Sequence, residues 1–188
     1  MTVRPILEIG HPVLRQAAEP VDDLAAVQGL VDDLIDTMRT ANGAGLAANQ
    51  IGAPVQVCVI EVRPGNPRYP YKPLIPLTVL INPTIELLTS ETFANYEGCL
   101  SVPGLRGVVD RAVEVRVRAI DRTGAPIDAV VRGLSAGTFQ HETDHLNGTL
   151  FVDRVTDTHT LCTWEEFHAR YEAAFIERVH ALVRTWGG

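Results

Sequence analysis

The sequence predicts an α+β fold. Three observations carry that reading: helical apolar periodicity near both ends, a strand-rich middle, and an H-E-x-x-H motif within Gln140-His141-Glu142-Thr143-Asp144-His145-Leu146-Asn147-Gly148. Residues four apart on an α-helix share a face. His141 and His145 can therefore hold one divalent metal, with Glu142 beside them to take a proton from a bound water.

In chain order, residues 1–20 read as an extended arm with turns at His11-Pro12 and Glu19-Pro20. Leu24, Val27, Leu30, Val31, Leu34, Ile35 and Met38 then recur at helical spacing. Asp22 and Asp23 suit the start of that helix, and Asn42-Gly43 suits its end. Gly43-Ala44-Gly45-Leu46-Ala47-Ala48-Asn49-Gln50-Ile51-Gly52 packs three Gly and three Ala into ten residues. Such a segment lets backbone approach another group closely, and it continues into neither a P-loop nor a dinucleotide fingerprint. Val55–Val62 is an apolar strand with Cys58 as core filler. Five of the twelve prolines fall between Pro64 and Pro76, which predicts a loop.

Leu77–Ile81 and Thr84–Phe93 read as two strands around Asn82-Pro83, and Cys99 is expected in a loop, between Gly98 and Leu100-Ser101-Val102-Pro103. Val113–Ala119 alternates as a strand with one wet face, Asp121–Gly124 turns, and Ile127–Val131 returns as a hairpin. The motif helix is expected over Leu134–Asn147, with Leu134, Thr138 and Phe139 on an apolar or small face and Gly148 as its C-terminal cap. Thr163 and Glu166 form a capping box, opening a helix over 163–186. Its stripe of Trp164, Phe167, Tyr171, Phe175, Val179, Leu182 and Trp186 predicts core packing or a partner surface. The whole chain, 1–188, reads as one catalytic domain without repeats.

Composition narrows the function. With 188 residues and 46% hydrophobic content, the chain can bury a core. A net charge of −7 and a pI near 5.3 argue against sequence-independent DNA binding. No apolar run reaches membrane-spanning length, the first ten residues carry no secretory signature, and three Cys lack disulfide spacing. The expectation is a reduced, cytoplasmic protein that binds no membrane.

A catalytic metal site usually has a third protein ligand. An H-E-x-x-H-x-x-G-x-x-H pattern fails here, because Phe151 stands at the last position. Glu165, twenty residues after His145, could complete a zinc endopeptidase site, although an acid in a helix's first turn is expected anyway. Cys99 offers a thiolate, a good ligand for a borderline-soft ion. Spacing leaves both open.

Three stretches together resolve the choice. Gly43–Gln50, Glu97-Gly98-Cys99-Leu100-Ser101 and Gln140–His145 resemble, in order and spacing, the motifs of the peptide deformylases. The resemblance runs from about His11 to Val155. It implies an α+β fold in which the H-E-x-x-H helix is surrounded by small antiparallel or mixed sheets, with N- and C-terminal helices. It also implies hydrolysis of the N-formyl group of new polypeptides that begin with formyl-methionine, releasing formate.

By motif position, Cys99, His141 and His145 hold the metal, which lowers the pKa of a water in the fourth position. Glu142 removes its proton, hydroxide attacks the formyl carbon, and Glu142 returns the proton to the leaving amine. The Gln50 amide and the Leu100 backbone N–H stabilise the oxyanion. Ala44, Gly45, Glu97, Leu134, Gly137 and Thr138 match substrate-contact or pocket positions, and Arg106 matches one near the substrate. The backbone at Gly43-Ala44-Gly45 suits pairing with an extended peptide. Fe2+ is the expected cofactor, with Ni2+, Co2+ or Zn2+ as alternatives. The ribosome is a further expected partner, through the C-terminal helix, and the chain is expected to be a monomer or weak dimer. Two departures stand out. Asn49 replaces the commoner Pro, with no assignable role. Gly137 replaces a larger residue, which predicts either a roomier side-chain pocket or close packing of a neighbouring segment.

Overall fold

A computed structural model describes residues 2–187. Its five-stranded antiparallel sheet has the order β1-β2-β3-β6-β7, from Gly45–Ala47, Val57–Val62, Ile75–Leu87, Glu114–Ile120 and Pro126–Arg132. A three-stranded antiparallel sheet joins β4 (Thr92–Cys99), β5 (Val102–Ala112) and β8 (Cys162–Thr163). Helix α2, Gly133–Leu146, packs against strands of both sheets.

Helix α1, Gln28–Thr40, buries Val31, Leu34, Ile35 and Met38 against Val57 and Val59 of β2. It begins a turn later than the aspartates imply, because the Asp23 carboxylate accepts from the Ala25 N–H and closes a preceding turn instead. Around Asn82-Pro83 the chain forms one strand rather than two. Asn82 takes a left-handed φ of 52°, and the register shifts between Ile81 and Thr84. That bulge accommodates Pro83, which has no N–H for the ladder. The Asn82 side chain exchanges two hydrogen bonds with the Val21 backbone, at 2.8 and 2.9 Å. The strand ends at Leu87 rather than running to Phe93.

Cys99 also departs from expectation: it is the last residue of β4, at the mouth of a hairpin, not a loop residue. Strand β5 escapes periodicity because Pro103, Gly104 and Gly107 interrupt it.

Helix α2 has no wet face. All of its residues except His141 are buried, including Gln140, Thr143 and Asp144. After the short helix α3 (Phe151–Arg154), Thr163 caps the C-terminal helix by accepting from the Glu166 N–H at 3.2 Å. That helix runs through α4 (Trp164–Glu166), a π-helical turn (Phe167–Tyr171) and α5 (Glu172–Trp186). The wide turn shifts the helix phase. Phe167, Phe175 and Val179 are buried, whereas Tyr171 is 40% exposed and stacks on Tyr96. Among the described residues no helix is long and apolar enough to cross a membrane.

Candidate active site

Helix α2 and the end of β4 bring together Cys99, His141 and His145, whose ligand atoms all lie within 4.8 Å of one another. Cys99 Sγ is 3.2 Å from His145 Nε2. Burial pushes the Cys99 thiol up, but the two imidazoles outweigh it and hold the group well below its ordinary range, as a thiolate. One sulfur and two nitrogens fit a borderline-soft divalent ion. Cys58 and Cys162 lie outside the cluster, and burial raises both thiols. Glu165 is exposed on the first turn of α4 and outside the cluster. The endopeptidase ligand set is therefore not assembled.

Behind the ligands lies a chain of buried ion pairs. His141 Nδ1 is 2.8 Å from Glu97 Oε2. The Arg111 guanidinium donates to both Glu97 oxygens, at 2.7 and 2.9 Å, and to Asp144 Oδ2 at 2.6 Å. Arg154 closes the chain on Asp144. Burial alone would raise the Glu97 carboxyl, yet Arg111 and His141 hold it far below the usual carboxylate range. Both Glu97 oxygens thus have partners, and one of them faces His141, the usual arrangement behind a ligating histidine. Arg111 escaped the sequence reading. Its one signal was a charged residue set among Val108, Val109, Ala112 and Val113.

Glu142 is also buried, but its environment differs. Its Oε2 has no hydrogen-bond partner, and burial raises its pKa against the nearby imidazoles. The Gly-rich stretch closes over it. A Cβ at position 45 would overlap the Glu142 side chain, so any larger residue there would displace its carboxylate. Gln50, on the 3₁₀ turn Ala48–Ile51, accepts from the Ala47 N–H at 2.8 Å. That bond turns its amide nitrogen toward Ser101 Oγ at 3.0 Å and Cys99 Sγ at 3.6 Å. Leu100 lines the same cavity. Asn49, which had no assigned role, is fully buried and donates to the His145 carbonyl.

The cavity in front of these groups measures about 40 Å³. Ala44, Gly45, Glu97, Arg106, Gly137 and Thr138 border it. Leu134 does not: it is 1% exposed and belongs to the core. Gly137 is closely packed, since an added Cβ would sit 3.0 Å from Phe93 Cζ and 3.3 Å from Asn95 Nδ2. This favours close packing over the roomier pocket.

Arg106 is not a solvated loop residue. It is 1% exposed, lies over the Trp164 and Phe167 rings at 4.4 and 4.1 Å, and donates to the Tyr71 hydroxyl and the Tyr96 carbonyl. The Pro-rich loop supplies Tyr69 and Lys72 to the wall. Neither was anticipated, because a Pro-rich stretch carries no periodicity.

The family model described as polypeptide deformylase matches residues 3–160. Over 157 residues the chain is 45% identical to peptide deformylase 1 of Nitrosomonas europaea, covering 82% of this chain and 89% of that one. Peptide deformylase 2 of Ralstonia nicotianae is 47% identical over 157 residues, 82% of this chain and 88% of that one. Among solved structures, a Met-Ala-Ser-bound class I type b peptide deformylase from Acinetobacter baumannii superposes with a TM-score of 0.78 at 39% identity. The match covers 82% of this chain and 99% of that one. A peptide deformylase from Synechococcus elongatus in complex with actinonin matches with a TM-score of 0.74 at 38% identity, covering 84% and 81%.

Proposed function

We propose a division of labour among these residues from one premise: the chain belongs to the polypeptide deformylase family. It is a metal-dependent amide hydrolase that removes the formyl group from new polypeptides. The observation that carries the division is Glu142, a buried carboxylate with a free oxygen beside a Cys-His-His cluster.

Cys99, His141 and His145 hold the metal, which when bound supplies the Lewis acidity that activates water. Glu142 takes the proton and returns it to the departing amine, a role suited to a carboxylate whose pKa burial moves toward neutrality. Gln50, its amide turned toward the site, and Leu100, through its backbone N–H, stabilise the developing oxyanion. Strand β1 is the edge of its sheet, and Ala44 and Gly45 border the cavity. An extended substrate adds to that edge. The small space in front of the ligands, about 40 Å³, suits a formyl hydrogen better than a larger acyl group.

Ferrous iron is the proposed metal, with formyl-methionine as the first residue. We take 1–188 as one cytoplasmic catalytic domain, supported by a core cluster that runs from Ala18 to Val179. The C-terminal helix has a packing role, because Phe167, Phe175 and Val179 enter that core. Its exposed residues mix Arg170, Arg178 and Arg184 with Glu165, Glu166 and Glu177, and ribosome docking through this helix is the further proposed partner role.

The test is formate release from a formyl-Met tripeptide, using protein loaded anaerobically with ferrous iron or with nickel. Glu142→Ala is expected to lower turnover by about a hundredfold or more, and Cys99→Ala to lose the metal by elemental analysis. Metal-replete wild type that releases no formate would overturn the assignment.

A further inference from the structure

The wall of the cavity contains a cation that the chemistry above does not use. Lys72 comes from the Pro-rich loop, and its ammonium donates to Thr138 Oγ1 at 2.9 Å. It also lies 4.7 Å above the Tyr69 ring. Among the described residues no carboxylate pairs with it: Glu97 is held by Arg111 and His141. Burial pushes the Lys72 ammonium down to about 8, against the attraction of Glu97 and Glu142.

An ammonium has three N–H donors. One is used on Thr138, and the ring face takes a second weakly. The third has no acceptor among the described residues and belongs to a residue that lines the cavity with Gly137, Thr138, His141 and Glu142. The second cation in this wall repeats the pattern: Arg106 Nε and Nη1 are buried without partners. A purely apolar pocket would have no such surplus of donors. The cavity of about 40 Å³ is also far below the several hundred Å³ usual for a ligand site. Lys72 is one of the side chains that line this small space, and Thr138, its acceptor, is another.

We propose that Lys72 is a specificity-determining residue that selects a first side chain ending in a neutral oxygen acceptor, such as methionine sulfoxide, over an aliphatic one. This rests on the deformylase reading. A thioether sulfur is only a weak acceptor, whereas the sulfoxide oxygen of oxidised methionine is a strong one on nearly the same skeleton. A carboxylate is disfavoured because Glu142 borders the same cavity.

The experiment compares kcat/KM for tripeptides beginning with formyl-methionine sulfoxide, formyl-methionine and formyl-norleucine, using nickel-loaded wild type and Lys72→Met. In wild type the sulfoxide is expected to exceed norleucine by about tenfold, the scale of one hydrogen bond to a charged donor. In Lys72→Met that ratio is expected to fall to about one or below, while norleucine turnover holds or rises, which shows an intact fold. An equal ratio in both proteins overturns the assignment. Loss of all turnover in Lys72→Met also overturns it and places Lys72 in the chemistry. No formate from any peptide with wild type fails the deformylase reading itself, and the proposal falls with it.

Discussion

Glu97 and Glu142 are both buried, at 5% and 4% exposure, and both flank the metal-ligating cluster. Their surroundings make them opposites. Glu97 lies in a closed network in which Arg111, His141 and Asn95 satisfy its oxygens. Glu142 faces the cavity with one oxygen unpartnered among the described residues and with Gly45 of β1 passing close against it. The first carboxyl is held far below its ordinary pKa and the second is raised above it. Burial by itself does not decide what a carboxylate does. The groups around it decide whether it fixes structure or moves protons. The region behind the ligands is built for rigidity, and the region in front carries unmet hydrogen-bonding capacity.

The largest expected effect comes from opening the network. Arg111→Met leaves Glu97 and Asp144 buried without their shared guanidinium: Glu97 keeps His141 and the Asn95 amide, and Asp144 keeps Arg154. Breaking a buried pair from one side costs about 3–5 kcal/mol, read as a drop in urea midpoint at pH 7. The pH dependence sharpens the test. A carboxyl with a depressed folded pKa contributes stability above its unfolded value, about 4.3, and loses it as pH falls toward the folded value. The gap between wild type and Arg111→Met should therefore be widest at neutral pH and narrow below about pH 4. A gap independent of pH would mean that the Glu97–Arg111 pair does not carry the cost.

The second test is of opposite sign. In metal-free protein the ionised Glu142 is a stability cost, because its folded pKa lies above its unfolded one. Glu142→Gln is expected to raise metal-free stability by about 1 kcal/mol at neutral pH, while formate release falls away. The gain should shrink as pH drops and wild-type Glu142 takes up its proton. If Glu142→Gln destabilises the protein as Arg111→Met does, both carboxylates are structural.

The front of the site was the more legible part in sequence. His141, Glu142 and His145 sit on one helix at fixed spacing, and Gly45 announced a close approach whose target proves to be Glu142. The supporting layer was not legible. Arg111 comes from a strand that glycines and a proline disguise, and its partners lie 14 and 33 residues away. Glu97 was noticed but read as a substrate contact, because a motif shows which residues gather and not which of their atoms are already occupied. Lys72 and Tyr69 sit in a loop whose composition excluded regular structure without indicating where the loop would fold. At Asn82 the dipeptide Asn-Pro read as a break, whereas hydrogen bonds to Val21 turned it into a bulge within one strand.

The smallest expected effect is at Asn49, where the two regions meet. Its side chain donates to the carbonyl of His145, while its own Oδ1 is buried without a partner. Asn49→Ala removes a hydrogen bond worth about 0.5–1.5 kcal/mol and also a buried, unsatisfied acceptor costing a similar amount. The His145 carbonyl is not orphaned by the change, because the Gly148 N–H still reaches it at 2.9 Å. The two contributions oppose, so the urea midpoint should shift by less than the equivalent of about 1 kcal/mol. A loss several times larger would show that Asn49 Oδ1 has an acceptor role. The group in its neighbourhood with matching need is His145 Nδ1, the other unpartnered buried atom on that pair of residues. A water bridging the two would then support His145 as Glu97 supports His141. Accelerated metal loss from Asn49→Ala under a chelator would accompany that result and would extend the closed network to the second histidine.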